Sequence, residues 1–163
     1  STSKIIIGDV YNPGSGQSLN LSCWVKLNSS GTFLELVTKN GYDVIGWRFF
    51  KYSADNKFYF QAGNNCYGPA ITDTKWHFFV LQREISGSSE ITRIYIDGIL
   101  AGSNSGTIYN VTNSQNLCIG CLHTSGSGYL RFHNGMISDV KIDYEIWSPG
   151  KIKNEYSKAK GFF

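Results

Sequence analysis

The chain has 163 residues, 41% of them hydrophobic and only 17% charged, which supports one packed domain and argues against disorder. Its net charge of +3 is far below what nucleic-acid binding usually requires, and no apolar run approaches the ~20 residues of a membrane span. The start, Ser1-Thr2-Ser3, has no signal-peptide pattern. We therefore expect a single domain, residues 1–163, that belongs to a longer protein.

The pattern along the chain is that of short β-strands separated by turns. In residues 19–27, Leu, Cys and Val alternate with Asn, Ser, Trp and Lys, as in a strand with one buried face. Segment 63–69 is predicted to be a loop, and Asp97-Gly98 predicts a two-residue hairpin turn. Only residues 149–160 favour a helical turn, with Ser148 as its cap. Further strand-like runs are 33–38, 44–52, 58–62, 76–83, 91–96, 117–122, 129–132 and 136–143.

Roughly ten short strands at this spacing, with no amphipathic helix between them, predict an all-β antiparallel sandwich or barrel. The composition agrees, because 15% of the residues are aromatic and 18 are glycine. Aromatic residues favour strands, and glycines favour tight turns. Neither an internal repeat nor a linker divides the chain.

Six short motifs in a fixed order resemble the laminin-G-like and concanavalin-A-like jelly-roll family. They are Leu21–Lys26 (LSCWVK), Leu36–Gly41 (LVTKNG), Trp76–Val80 (WHFFV), Arg93–Gly98 (RIYIDG), Leu117–Gly120 (LCIG) and 133–141 (HNGMISDVK). The resemblance covers most of the chain. It implies a two-sheet antiparallel jelly-roll sandwich, in which Trp24, Trp76 and Trp147 are buried or half-buried.

Members of this family serve as sugar-binding modules, as adhesion domains or as accessory domains of hydrolases, and many hold calcium. The resemblance therefore implies a binding function without naming the ligand. The family's late acidic pair appears here as Ser138-Asp139. The serine replaces one usual carboxylate, which puts a calcium site at that position in doubt.

Candidate ligand-binding residues lie on the strand 58–62 and in the segments 41–47, 63–69 and 125–134, which combine aromatic rings with hydrogen-bonding groups. If Phe58 and Phe60 point inward, the alternation places Tyr59 and Gln61 on the solvent face. Sugar recognition needs flat rings for stacking and polar groups that bond hydroxyls. The full set of candidates is Tyr42, Asp43, Tyr59, Gln61, Asn64, Asn65, Tyr67, Tyr129 and Arg131. The alternative is that these residues only solvate rims and turns.

Calcium requires six to eight oxygen ligands, and the sequence contains no DxDxDG loop. Asp9 near the first strand and Asp139 near the last could meet, because jelly rolls bring their terminal strands together. These two residues are the candidate Ca²⁺ ligands. The alternative is that they are ordinary turn-capping aspartates.

Catalysis has little support in the sequence. Segment 141–145 (KIDYE) resembles the E-[IL]-D-x-E strand of jelly-roll glucanases, but Lys141 stands where the nucleophilic glutamate would be. The chain also lacks a GxSxG elbow. We therefore predict that it is not an enzyme.

The cysteines Cys23, Cys66, Cys118 and Cys121 leave their chemistry open. An even count permits two disulfides in any of three pairings, and buried free thiols are an equal alternative. The spacing of Cys118 and Cys121 would suit a metal site, but no second pair lies close by in sequence.

The prediction from sequence is thus a non-catalytic, extracellular or cell-surface module that binds a glycan on the concave sheet or on the rim loops. The alternative is a structural or protein–protein interaction domain of a surface, fibre or viral protein. Glycans or proteins are the expected partners. Nucleic acid and membrane insertion are not expected.

Overall fold

The structure is a computed structural model that describes residues 3–29, 32–40, 45–124 and 128–163. Within these residues the chain forms thirteen β-strands and one α-helix. The elements are β1 (Ile5–Gly8), β2 (Leu19–Leu27), β3 (Leu34–Lys39), β4 (Trp47–Lys51), β5 (Lys57–Ala62), β6 (Asn64–Ala70), β7 (Trp76–Ser86), β8 (Ser89–Ile96), β9 (Ile99–Thr107), β10 (Leu117–Ile119), β11 (Leu122–Thr124), β12 (Gly128–Leu130), β13 (Gly135–Asp143) and α1 (Pro149–Ala159).

Two large antiparallel sheets form the body of the protein. The six-stranded sheet has the order β1-β10-β3-β4-β5-β6, and the five-stranded sheet has the order β13-β2-β7-β8-β9. Strands β11 and β12 form a separate small hairpin. The predicted all-β, two-sheet jelly-roll sandwich is confirmed.

The inner faces of the two sheets share one hydrophobic core. Side chains of β2 and β7 meet those of β3, β4 and β5, and most of them are fully buried. The Phe79 ring on β7 lies 5.0 Å from Phe49 on β4 and 4.6 Å from Phe58 on β5, measured between centroids. These three rings join the two layers.

Helix α1 covers part of the outer face of the five-stranded sheet. Trp24, Phe78 and Val80 on that face pack in one cluster with Trp147 and the helix residue Ile152. The helix begins as predicted, because the Ser148 side chain accepts a hydrogen bond from the Lys151 backbone N–H at 3.2 Å. The expected burial of Trp24 and Trp147 is also confirmed, and Trp76 is half-buried.

Three predicted elements differ from the structure. Segment 63–69 is not a loop but mostly strand β6, which the sheet accepts because β6 lies at the edge and Pro69 needs no partner strand there. Run 117–122 is two strands, because Gly120 turns the chain with a φ of 82°. Strand β9 was missed, since its sequence is rich in Gly, Ser and Asn.

The Asp97-Gly98 hairpin turn between β8 and β9 is confirmed. Both residues have positive φ angles, 53° and 82°, as a tight two-residue turn requires. All four cysteines are buried free thiols in the structure, so neither a disulfide nor a metal site engages them there. In the part of the chain that the structure describes, no helix has both the length and the apolar character to cross a bilayer.

Candidate functional site

The outer face of the six-stranded sheet carries a row of aromatic rings. The antiparallel register places Glu35, Phe50, Tyr59 and Tyr67 side by side on β3, β4, β5 and β6. Their neighbours along β4 and β5, such as Phe49 and Phe60, point into the core. Phe50, Tyr59 and Tyr67 therefore lie on the face of the sheet that is turned away from the core.

The rings are spaced close to the distance between neighbouring strands, which is about 4.8 Å. Phe33, just before β3, stacks on Phe50 at 5.5 Å, with 9° between the ring planes. Phe50 stacks on Tyr59 at 5.3 Å, and Tyr59 lies 5.2 Å from Tyr67. Tyr52 meets both Phe33 and Tyr59 edge-on. We call these five residues the aromatic row.

Four members of the aromatic row line a groove of about 550 Å³. This volume falls in the range of small-molecule and sugar sites. The groove combines apolar ring surface with guanidinium and amide groups, which is the composition that sugar binding requires. Its lining residues are Phe33, Arg48, Phe50, Tyr52, Tyr59, Gln61, Asn65 and Arg131.

Two arginines meet over a buried carboxylate at one side of the groove. Arg48 and Arg131 approach the same Glu35 oxygen, Oε1, at 3.2 and 3.5 Å. Glu35 is fully buried, and burial raises its pKa to about 7 although both arginines oppose that shift. The guanidinium carbons of Arg48 and Arg131 each lie 4.3 Å from a ring centroid, of Phe50 and Phe33 respectively.

In the middle of the row, Tyr59 is fixed by a hydrogen bond. Its hydroxyl donates to Asp55 Oδ2 at 2.7 Å, and this bond raises the pKa of Tyr59 to about 12. The same bond holds the pKa of the half-buried Asp55 below its usual range. Lys57 lies 4.0 Å from Asp55 and 4.6 Å from the Tyr67 ring centroid. The ring of Tyr59 therefore has a defined orientation.

The structure brings together five of the predicted ligand-binding residues. Tyr59, Gln61, Asn65 and Arg131 line the groove, and Tyr67 ends the aromatic row beside it. Gln61 is held in place because its Oε1 accepts a hydrogen bond from Arg48 Nε at 2.7 Å.

Two other predicted residues lie elsewhere. Asn64 pairs with Ala62 and is tied to Glu90 through its backbone N–H at 2.8 Å and its side-chain amide at 3.2 Å. Tyr129 packs on His123 and lies 4.7 Å from the Lys4 ammonium, outside the set that lines the groove. Tyr42 and Asp43 fall outside the described residues.

The two candidate calcium ligands, Asp9 and Asp139, do not form a shared site. Strands β1 and β13 belong to different sheets but lie close together, since Ile5 and Ile137 line one pocket. Asp9 accepts hydrogen bonds from Lys39 Nζ at 2.5 Å and from Asn12 at 2.7 Å. Asp139 borders the cleft beside α1. Among the described residues no cluster of three or more His, Cys, Asp or Glu side chains could hold a metal.

Sequence reasoning missed half of the groove. Phe33, Arg48, Phe50 and Tyr52 were not candidates, because Trp47–Tyr52 is apolar or basic at both parities and its alternation cannot tell one face from the other. The available signal was the parity of Tyr59 and Gln61 on the next strand. Pairing that strand with β4 would have put Arg48 and Phe50 on the same face.

A family model of the laminin G type, described as the concanavalin A-like lectin/glucanases superfamily, matches residues 1–153. The chain belongs to this superfamily. Comparison with curated protein sequences finds no significant match. Membership agrees with the order of motifs along the chain and with the two-sheet sandwich.

Several solved structures with a similar fold are described by their names as binding domains or binding proteins. One, from Bacteroides ovatus, has had carbohydrate binding ascribed to it; it aligns with a TM-score of 0.70 at 13% identity over 91% of this chain and 42% of that one. The botulinum neurotoxin serotype C1 binding domain aligns with a TM-score of 0.66 at 17% identity over 95% and 40%. The botulinum neurotoxin DC binding domain in complex with SialylT aligns with a TM-score of 0.61 at 16% identity over 95% and 39%. The chain thus spans about two fifths of these proteins, and at such identities the likeness shows the fold.

Proposed function

We propose that the chain is a non-catalytic module that binds a glycan in the groove on the outer face of the six-stranded sheet. The observation that carries this proposal is the aromatic row, whose rings run at stacking distance from Phe33, just before β3, across β4, β5 and β6. A row of flat apolar faces suits the C–H faces of successive sugar rings. Arg48, Gln61 and Asn65 supply hydrogen-bonding groups along it.

The position of the groove supports this assignment. The outer face of the five-stranded sheet packs against α1 and Trp147, whereas the aromatic row faces a groove. Tyr67 is 51% exposed and Tyr52 is 43% exposed, so part of the aromatic row is accessible to a ligand. Two proteins of similar fold, one solved in complex with SialylT and one named for carbohydrate binding, support the same proposal.

A binding role without catalysis is favoured by the residues where a glucanase would act. Lys141 occupies the place of the nucleophilic glutamate and lies 3.7 Å from Glu155 on α1. We propose an extracellular or cell-surface location on the strength of the superfamily alone.

The test is a glycan array followed by calorimetric titration of Tyr52→Ala against the best ligand. We expect about tenfold or greater loss of affinity, because truncating an aromatic anchor costs about 1–3 kcal/mol. The matched control is Tyr144→Ala. Tyr144 is 44% exposed, but it packs beside Tyr11 and is not among the residues that line the groove. Equal binding by both variants, or an array without any ligand for folded protein, would contradict the proposal.

A second candidate function, pairing with a protein partner, is favoured by strand β1. This edge strand of the six-stranded sheet exposes Ile5, Ile6 and Ile7 to 58, 44 and 46%. Apolar strand edges of this kind tend to pair with another strand. Size-exclusion chromatography with light scattering distinguishes the two functions, because pairing through β1 predicts an oligomer that Ile6→Lys dissociates.

A further inference from the structure

We propose that Cys118 and Cys121 are a redox-active pair, which an external small-molecule disulfide oxidises to an intramolecular disulfide. This inference goes beyond the proposed function and does not depend on it. In the structure both residues are reduced and fully buried. They neither line the groove nor belong to the hydrophobic core between the two sheets, in which Cys23 and Cys66 are packed.

The fold holds both cysteines beside one residue, Thr38 of β3. Cys118 pairs with Thr38 in the antiparallel ladder of β10 and β3, and Thr38 Oγ1 donates a hydrogen bond to the backbone carbonyl of Cys121 at 2.8 Å. Between the two cysteines Gly120 turns the chain with a φ of 82°, and its N–H donates to the Leu36 carbonyl at 2.7 Å. The backbone of the pair is therefore fixed on both sides of a tight turn.

The two thiol groups also interact with each other. In the reduced form the Cys118 thiol donates to the Asn116 carbonyl at 3.6 Å. A hydrogen bond from Cys118 stabilises the Cys121 thiolate, and this bond lowers the pKa of Cys121 although burial opposes the shift. The same bond, together with burial, raises the pKa of Cys118. Cys121 is therefore the thiol of the pair that ionises first.

Three charged residues of the described chain face the pair. Lys4 lowers the pKa of both thiols, and Lys39 on β3 lowers that of Cys118. Glu35, also on β3, acts in the opposite direction on Cys121. Two cations against one anion favour a thiolate at this turn, and a thiolate is the form of cysteine that reacts with disulfides.

The other two cysteines lack such surroundings. Burial in the apolar core raises the pKa of Cys23 and of Cys66, to about 12 for Cys66. Both therefore stay protonated at neutral pH and serve as small apolar side chains.

An oxidant reaches the pair from the side of β1. A cleft of about 260 Å³ is lined by Ile119 and Gly120, the residues between the two cysteines, and by Lys4 and Ile5. Strand β1 is a four-residue edge strand whose three isoleucines are 44–58% exposed. Because it buries little apolar surface, its local opening costs less free energy than global unfolding.

Oxidation proceeds by two steps of thiol–disulfide exchange. The Cys121 thiolate attacks one sulfur of the external disulfide, which forms a mixed disulfide and releases one thiolate. That thiolate takes the proton of Cys118, whose sulfur then attacks Cys121 Sγ and releases the second thiolate, which is protonated from solvent. Two protein thiols are oxidised, and one external disulfide is reduced to two thiols.

The experiment exposes the reduced, folded full chain to excess glutathione disulfide, followed by acid quench, alkylation in denaturant and tryptic mass spectrometry. Cleavage after Arg93 and Arg131 places the pair in one peptide, residues 94–131, which contains neither Cys23 nor Cys66. We expect this peptide to lose two hydrogens and to resist alkylation. Cys23 and Cys66 should remain alkylated in their own peptides.

Variants test the assigned order of the two steps. Cys118→Ser should stop at a mixed disulfide with one glutathione on Cys121, because the second thiol is missing. Cys121→Ser should react about tenfold more slowly at neutral pH, since burial keeps the remaining Cys118 thiol protonated. Cys66→Ala is the matched control, and it should oxidise at residues 118 and 121 as the wild type does.

Three results would overturn the proposal. The first is complete alkylation of all four cysteines after treatment of protein that circular dichroism shows to be folded. The second is oxidation that occurs only when urea has unfolded the chain. The third is a disulfide that joins Cys23 or Cys66 to either member of the pair.

Discussion

His77 on β7 lies between two carboxylates, that of Asp97 in the turn that joins β8 to β9 and that of Asp73 before β7. Its Nδ1 is 2.7 Å from Asp97 Oδ2, and its Nε2 is 3.0 Å from Asp73 Oδ1. The hydrogen bond with Asp97 is the main cause that raises the pKa of His77, partial burial opposes it, and Asp73 adds to it. The protonated imidazole can donate to both carboxylates, which ties the segment before β7 to the hairpin turn.

This raised pKa makes stability depend on pH with a definite sign. The native state binds the His77 proton more tightly than the unfolded state does, so the stabilisation is complete below about pH 6.5 and is lost as the pH rises through the native pKa. We expect the free energy of unfolding in urea to fall over that range. His77→Gln should flatten this fall, and a variant with the wild-type slope would contradict the assignment.

At the scale of single residues, alternation predicted the site only where one face of a strand is purely apolar. Strand β5 shows this, since Phe58 and Phe60 are buried while Tyr59 and Gln61 line the groove. Glu35 could not have been found in this way. Its neighbours on β3 are buried too, and only the arginines contributed by β4 and by the segment after β12 explain its charge.

At the scale of elements, a buried ion pair joins β7 to β8. Arg83 Nε lies 2.9 Å from Glu90 Oε2, and both side chains are fully buried. Arg83 also donates to the backbone carbonyls of Gly14, Gln17 and Tyr109, and Glu90 accepts from Asn64 N–H at 2.8 Å. The pair therefore fixes several loops at one rim of the sandwich.

Removing one partner of this pair should strongly destabilise the protein. We expect Glu90→Ala to lower the free energy of unfolding by about 3–5 kcal/mol, because it leaves the Arg83 charge buried without its anion. Glu84→Ala on the same hairpin is the control: its pair with Arg93 is partly exposed, so about 1 kcal/mol or less is expected. Similar losses in both variants, measured by urea denaturation, would show that burial does not set the difference.

The elements themselves were predictable where their chemistry is local. The Asp97-Gly98 turn and the Ser148 cap depend on backbone preferences of a few residues, and both are present. Strand β6 was misread because Asn64, Asn65, Gly68 and Pro69 are typical of turns. Its pairing with β5 supplies the stabilisation that local propensity does not.

At the scale of the whole molecule, Phe79 links the two sheets through its contacts with Phe49 and Phe58. We expect Phe79→Ala to cost about 3–5 kcal/mol of stability, since it opens a cavity between layers that cannot collapse independently. Ile99→Ala, at a side chain that is 72% exposed, should change stability by no more than about 0.5 kcal/mol. Chemical denaturation of the two variants measures both values, and a small loss for Phe79→Ala would mean that the layers are not joined there.

The order of strands across each sheet could not be obtained from local patterns. Strand β10 lies between β1 and β3, and β13 pairs with β2, so neighbours in space are far apart in sequence. The groove depends on this order, because it brings Arg131 to Glu35 across 96 positions of the chain. The family resemblance predicted the sandwich, but the groove is formed by contacts between distant segments that no local sequence pattern predicts.

The packing of α1 against the five-stranded sheet has a consequence for valency. Since the helix covers part of the opposite broad face, the module presents the aromatic row in a single direction. Strong attachment to a glycan-coated surface would then come from several copies acting at once, since tethered weak sites gain avidity without any new contact.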